Sequence, residues 1–191
     1  MTDAFTKVVL QYIWALMKND VVIRLAEAQD AKLLETLGRF TFYETWIAVK
    51  TEEDMQLYLA DAFLEEKLRK ELNDASCFTY FLAEMNDEVV GYAKLRRDRS
   101  YPELAGKKAI ELERIYVKNK FQGTKVGKAL MDRCMELSRN EKFDVFWLGV
   151  NVDNTRAINF YQKYGFEIFG EKMFKLGKAE DKDYLMKLSL I

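Results

Sequence analysis

From residue 109 onward, runs of strand character alternate with runs of helical character, and this order constrains the fold more than any other feature of the chain. Residues 109–117 read as a strand, 126–140 as a helix, 144–150 as a strand and 155–164 as a helix, followed by strands near 166–174 and 182–189. Strands with helices interposed build an α/β sheet. The first half supplies a short strand at 21–25, a helix that Asp30 can cap and that runs to about Phe40, and helical patterns at 52–60 and 61–73. Residues 78–85 and 88–96 are apolar, β-branched and aromatic, and they meet at Asn86-Asp87, the signature of a β-hairpin. No repeat and no Pro/Gly/Ser linker divides residues 20–191, which read as one domain. Ahead of it, Phe5, Val8, Val9, Tyr12, Ile13, Leu16 and Met17 fall at helical spacing, so residues 1–19 read as an amphipathic helical appendage.

Composition excludes several function classes. Lys+Arg 30 against Asp+Glu 31 leaves no basic excess to neutralise a phosphate backbone, so nucleic acid is not expected as a partner. The chain has no histidine, which removes Ser-His-Asp and Cys-His machinery, histidine metal sites and the usual general base. Cys77 and Cys134 stand far apart without ligand spacing, and no metal is expected. The apolar stretch 8–17 is too short to span a bilayer and lacks a small-residue cleavage site, so the expected location is cytoplasmic, without a membrane partner.

Two motifs carry chemistry. Gln122-Gly123-Thr124-Lys125-Val126-Gly127-Lys128 lies between a strand and a helix. Such a turn presents free backbone N–H groups and the positive end of the helix dipole, a place for a pyrophosphate, with Lys125 and Lys128 adding charge. The GxxxxGK[ST] spacing of a P-loop is absent, and an ordinary helix start with tolerant glycines accounts for the same residues. The second motif, residues 154–166, has Asn154 as an N-cap, Gly165 as a stop, and Ala157, Ile158, Phe160, Tyr161 and Tyr164 on an apolar face. Its spacing alone is that of a capped amphipathic helix.

Taken together, about 30 residues apart with a strand between, the motifs resemble those of the GCN5-related N-acetyltransferase (GNAT) superfamily. Gln122 and Gly127 match its coenzyme loop, and Asn154, Ala157, Phe160, Tyr161, Gly165 and Phe166 match its later helix. Segments 41–45, 51–55, 111–117, 147–150 and 174–177 are similar to PaiA-type spermine/spermidine N-acetyltransferases. The resemblance implies a mixed central sheet of about seven strands flanked by helices, acetyl-CoA as cosubstrate and transfer of acetyl to an amine, polyamines among the candidates. It also implies that strands 109–117 and 144–150 splay apart. Backbone groups of Ile115, Tyr116 and Val117 would hold the pantetheine arm, and residues 122–128 the pyrophosphate. Asn154 would contact the coenzyme arm, and Tyr161 would protonate the leaving thiolate.

Lys125 departs from the pattern, standing where the family has its first glycine. A positive φ would strain a lysine there; we expect a negative φ, with the ammonium group free to approach a coenzyme phosphate. Without histidine, Glu111 and Glu113 are the candidate bases, and strict alternation puts them on one face with Ile115 and Val117, opposite Tyr116. Tyr43, Glu44 and Trp46 are candidates for an acceptor pocket, through charge and cation–π contact. Transfer to a protein or peptide amine and a sensor that binds acyl-CoA without turnover remain alternatives, and the apolar 4–18 segment allows a homodimer.

Overall fold

The computed structural model describes residues 20–176 and 179–191; the helix expected at 4–18 lies outside them. Strands β1 (Val22–Leu25), β2 (Phe78–Met85), β3 (Glu88–Arg96), β4 (Ala109–Val117), β5 (Val145–Asn151), β6 (Glu167–Leu176) and β7 (Ala179–Ser189) form one sheet in the order β1-β2-β3-β4-β5-β7-β6. Neighbours are antiparallel except β4 and β5, which run parallel. The helices are α1 (Ala31–Trp46), α2 (Glu52–Ala62), α3 (Glu65–Asn73), α4 (Val126–Asn140) and α5 (Thr155–Lys163).

Both faces of the sheet are covered, so its central strands read as continuous apolar runs. On one face Phe81, Ala93, Leu95, Ile110, Phe146 and Leu148 pack against Val126, Leu130, Met131 and Cys134 of α4. On the other, Tyr80, Leu82 and Tyr92 meet Leu34, Leu37 and Phe42 of α1, Met55 and Leu59 of α2 and Leu68 of α3. Local chemistry sets the ends of these elements. Asn86 and Asp87 have φ of 54° and 60°, the two left-handed residues of a type I′ hairpin. Thr51 caps α2 by accepting from the Asp54 amide at 3.2 Å. α1 runs past Phe40 to Trp46 because no breaker intervenes, and Phe42 and Trp46 extend its apolar face by a turn.

Two departures from regularity shape the molecule. β4 and β5 pair only at Ala109↔Val145, Ile110↔Phe146 and Glu111↔Trp147. Beyond that, β4 stays with β3 as far as Gly91↔Val117 and β5 stays with β7 as far as Asn151↔Asp183, so a wedge opens between them. In addition, the β3–β4 register steps from Lys94↔Arg114 to Leu95↔Leu112, which leaves Glu113 as the extra residue of a β-bulge. The bulge overturns the alternation expected along β4. Leu112 packs in the α4-side core, and so do Ile115 and Val117, one parity apart. Glu113 turns instead to Lys94 and Arg114 reaches the Ala62 carbonyl, so both lie with Tyr116 on the α1–α3 side. Glu111 and Glu113 therefore do not share a face with Ile115 and Val117, and Tyr116 is not opposite Glu113.

Candidate active site

A cavity of about 890 Å³ runs through the wedge. One end is the turn before α4. Helix α4 makes its first backbone bond from Ala129 N to Lys125 O, at 2.9 Å. The amides of Gly123, Lys125, Val126, Gly127 and Lys128 accordingly have no acceptor among the described residues. Free donors at a helix start, with Lys125, Lys128 and Arg156 on the lining, suit a pyrophosphate. Gly123, at φ 86°, has open space where a Cβ would stand, so a ligand can approach its backbone.

Lys125 has φ 70° and ψ −2°, a left-handed conformation, contrary to the negative φ expected for it. The turn needs that geometry to aim successive amides at one point, and the lysine bears a cost of about 1 kcal/mol for it. The residue still lines the cavity. Thr124 and Val126 do not: the Thr124 hydroxyl donates to the Phe121 carbonyl, and Val126 is buried in the core. Gln122 braces the loop, donating to Val117 O at 3.3 Å and accepting from Arg156, a residue that the spacing did not single out.

Past Glu111, the edge of β4 facing the wedge has no strand partner, so the backbone of Ile115–Val117 is available to an extended ligand. α5 flanks this edge. Its start is fixed by the Asn154 side chain, which accepts from Ala157 N at 3.1 Å and also lines the cavity. Its end is a Schellman turn, Phe166 N to Tyr161 O at 3.2 Å and Gly165 N to Gln162 O at 2.9 Å, with Gly165 at φ 88°. These ends hold Tyr161 on the cavity wall between the rings of Phe160 and Phe166. Burial raises the Tyr161 pKa above the ordinary phenol value, so the hydroxyl keeps its proton near neutral pH.

The other end of the cavity lies toward α1–α3 and is lined by acids and aromatics, among them Glu111, Glu113, Asp181, Asp183, Trp46, Tyr58 and Phe174. The two candidate bases differ sharply. Glu113 faces Lys94 at 3.1 Å, with Arg96 at 3.6 Å and Arg114 at 3.9 Å. Burial pushes its pKa up, but Lys94 and Arg114 outweigh burial and hold the carboxyl below its ordinary value. Lys94 is itself 2% exposed and reaches Glu71 on its other side at 2.9 Å. Glu111, also 2% exposed, has Arg99 at 3.4 Å as its one ion-pair partner among the described residues. Burial dominates, and its pKa is raised. Tyr116, pushed up to about 12 by burial, stacks on Tyr92 and belongs to the packing.

Of the proposed acceptor residues, Glu44 and Trp46 line the cavity and Tyr43 does not. Tyr43 points outward to Glu52, at 3.1 Å, and Glu44 accepts from the Asn119 amide at 3.1 Å. Arg99, Lys172, Asp181 and Asp183 join the lining without any motif to announce them. Among the described residues no cluster of acids or cysteines could hold a metal, and no helix is long and apolar enough to cross a membrane.

The family model for the acetyltransferase (GNAT) family matches residues 40–166. An uncharacterised N-acetyltransferase of Lactobacillus delbrueckii subsp. lactis is 34% identical over 171 residues, covering 88% of this chain and 98% of that protein. A spermidine N(1)-acetyltransferase of Thermoplasma acidophilum is 24% identical over 151 residues, covering 78% and 89%. The crystal structure of PaiA N-acetyltransferase from Thermoplasma acidophilum, in complex with coenzyme A, superposes with a TM-score of 0.72 at 20% identity, over 89% of this chain and 99% of that one. A match that spans both motifs, and a relative similar along nearly its whole length, lead to one conclusion: this chain belongs to the acetyltransferase (GNAT) family.

Proposed function

We propose that the protein transfers acetyl from acetyl-CoA to a primary amine, with polyamines the first acceptors to test. The observation that carries this reading is the meeting of three features in one cavity: the free amides before α4, the unpaired edge of β4 and the Tyr161 hydroxyl. When bound, acetyl-CoA supplies the acetyl group as a thioester. The amides of Gly123 and Lys125–Lys128 hold its pyrophosphate, the β4 edge at Ile115–Val117 its extended arm, and Asn154 lies alongside that arm. Glu111, whose carboxyl burial holds above its ordinary pKa, accepts a proton from the acceptor ammonium, which frees the amine to attack the thioester carbonyl and displace the thiolate. Tyr161, still protonated, gives one to the departing thiolate. Glu113 is already committed to Lys94 and serves to hold the bulge. The acidic, aromatic lining of the acceptor end and the named activity of the Thermoplasma relative support a cationic amine.

The test is release of free CoA thiol from acetyl-CoA in the presence of a panel of amines that includes spermidine and spermine. Release that depends on one amine supports the reading. Tight acetyl-CoA binding without release on any amine points to a peptide acceptor or a sensor, and absence of binding sinks the reading. Lys125→Gly gives a second check on the coenzyme loop. Relief of the left-handed strain should leave the melting temperature unchanged or raise it by up to about 3 °C. Loss of one charge beside the pyrophosphate should weaken CoA binding about threefold at low salt, and less at high salt. A melting temperature more than about 5 °C lower would contradict the strain assigned to Lys125.

A further inference from the structure

The carboxylates at the acceptor end differ in how well they are compensated. Glu113 has Lys94, Asp181 is in direct contact with Lys50, and Asp61 has Lys67 at 2.9 Å. Asp183 has no such partner. Its side chain is 11% exposed and, among the described residues, has Lys172 at 3.9 Å as its nearest cation and no hydrogen-bond partner. A buried carboxylate with one distant counter-ion retains most of its desolvation cost, and a closer ammonium would relieve it.

Lys172 is placed unusually. It rises from β6 beside Asp183 of β7 and extends over β5, where its end lies against the bare backbone of Gly149. A Cβ at residue 149 would stand 2.8 Å from both Lys172 Cε and Nζ, and 3.5 Å from Asp183 Oδ2. Gly149 lies beyond the last β4–β5 pair, at the wedge itself. The Lys172 charge acts on both Asp183 and Glu111, opposing the effect of burial on each. A primary ammonium on a flexible alkyl chain therefore already stands at the mouth of the wedge, near Asp183 and Glu111, two buried acids with no cation closer than 3.4 Å among the described residues. In charge and shape it is what an acceptor amine would bring.

We propose that Asp183 binds the ammonium group of the acceptor at the wedge, and that Lys172 holds this place in the free enzyme until the acceptor displaces it. The inference rests on the reading of the cavity as an acetyl-transfer site for amines. It makes Asp183 a specificity-determining residue and Lys172 an internal competitor, and it gives Gly149 a purpose, since any larger residue would take the space of the lysine end.

The two substitutions should act in opposite directions. Asp183→Asn removes the partner of the acceptor and should raise KM for spermidine and for n-butylamine about tenfold or more. Lys172→Met removes the competitor and should lower both KM values about threefold to tenfold, because a larger fraction of the protein is competent to bind. Lys172→Gln serves if the methionine variant does not fold, and CoA affinity unchanged in each variant confirms an intact scaffold. Calorimetric titration of spermidine into the CoA-bound protein reads the same signs without turnover. Opposite shifts in binding with no transfer by the wild type would support Asp183 and Lys172 while sinking the acetyl-transfer reading. Transfer with both variants weakened, or neither changed, would overturn the inference and keep the transferase. A wild type that neither binds nor acetylates either amine overturns it as well.

Discussion

Tyr161→Phe should lower turnover about 100-fold or more while leaving the KM for acetyl-CoA within about threefold. The ring is 8% exposed and wedged between Phe160 and Phe166, at centroid distances of 5.5 and 5.8 Å, so the substitution deletes a hydroxyl and moves nothing else. Because burial raises the pKa of this phenol, the proton it would donate is present across the working range, and Tyr161 should add no alkaline limb near neutral pH. Turnover within about threefold of wild type, with normal coenzyme binding, would remove Tyr161 from the proton path.

Glu111 and Glu113 should separate just as clearly, one by activity and the other by stability. Glu113→Gln leaves the buried Lys94 ammonium with Glu71 as its one carboxylate partner among the described residues. Breaking one side of a buried ion pair costs about 3 kcal/mol, which for a chain of this size is a fall of roughly 6–12 °C in melting temperature. Glu111→Gln places a neutral group where burial already disfavours charge, and Arg99, 40% exposed, can turn to solvent, so stability should hold or rise slightly. Activity should show the reverse order, with kcat/KM falling about 100-fold in Glu111→Gln.

The pH dependence carries opposite signs for the two. Glu113 has a depressed folded pKa, so its stabilisation is present above the ordinary glutamate value of about 4.3 and is lost as pH falls through the depressed value. Glu111 has a raised folded pKa, so its contribution is complete below about 4.3 and is lost as pH rises through the raised value. Melting curves from pH 3 to 8 and the acid limb of kcat/KM read both. Full activity in Glu111→Gln would exclude it as the base, and activity lost in Glu113→Gln at unchanged stability would restore Glu113 to that role.

How far the site was legible depends on how local its chemistry is. The glycine-bearing loop at 122–128 and the Tyr161 helix could be read because each is a contiguous segment whose caps, glycines and apolar face are set within a turn or two. Lys125 was misjudged because φ at one residue depends on where successive amides must point, and side-chain chemistry does not reveal that. The β4 bulge was invisible for a related reason. Alternation predicts one face for residues 111, 113, 115 and 117, and only the pairing with β3 shows that Glu113 is the extra residue. Lys94 did leave a signal, a lone lysine within the apolar run 89–95, which in the fold lies on the Tyr92 side of β3 and is buried.

The sequence by itself determined the α/β order, the hairpin at Asn86-Asp87 and the two motifs, since propensity, capping and periodicity act over a few residues. Only the tertiary structure decided which carboxylate is paired and which is left under-compensated. Glu71, Lys94 and Glu113 come from one helix and two strands, and Gly149, Lys172 and Asp183 from three different strands. Their meeting depends on register, bulge and sheet order, and a buried charge is set by neighbours far away in the chain rather than by its own surroundings in sequence.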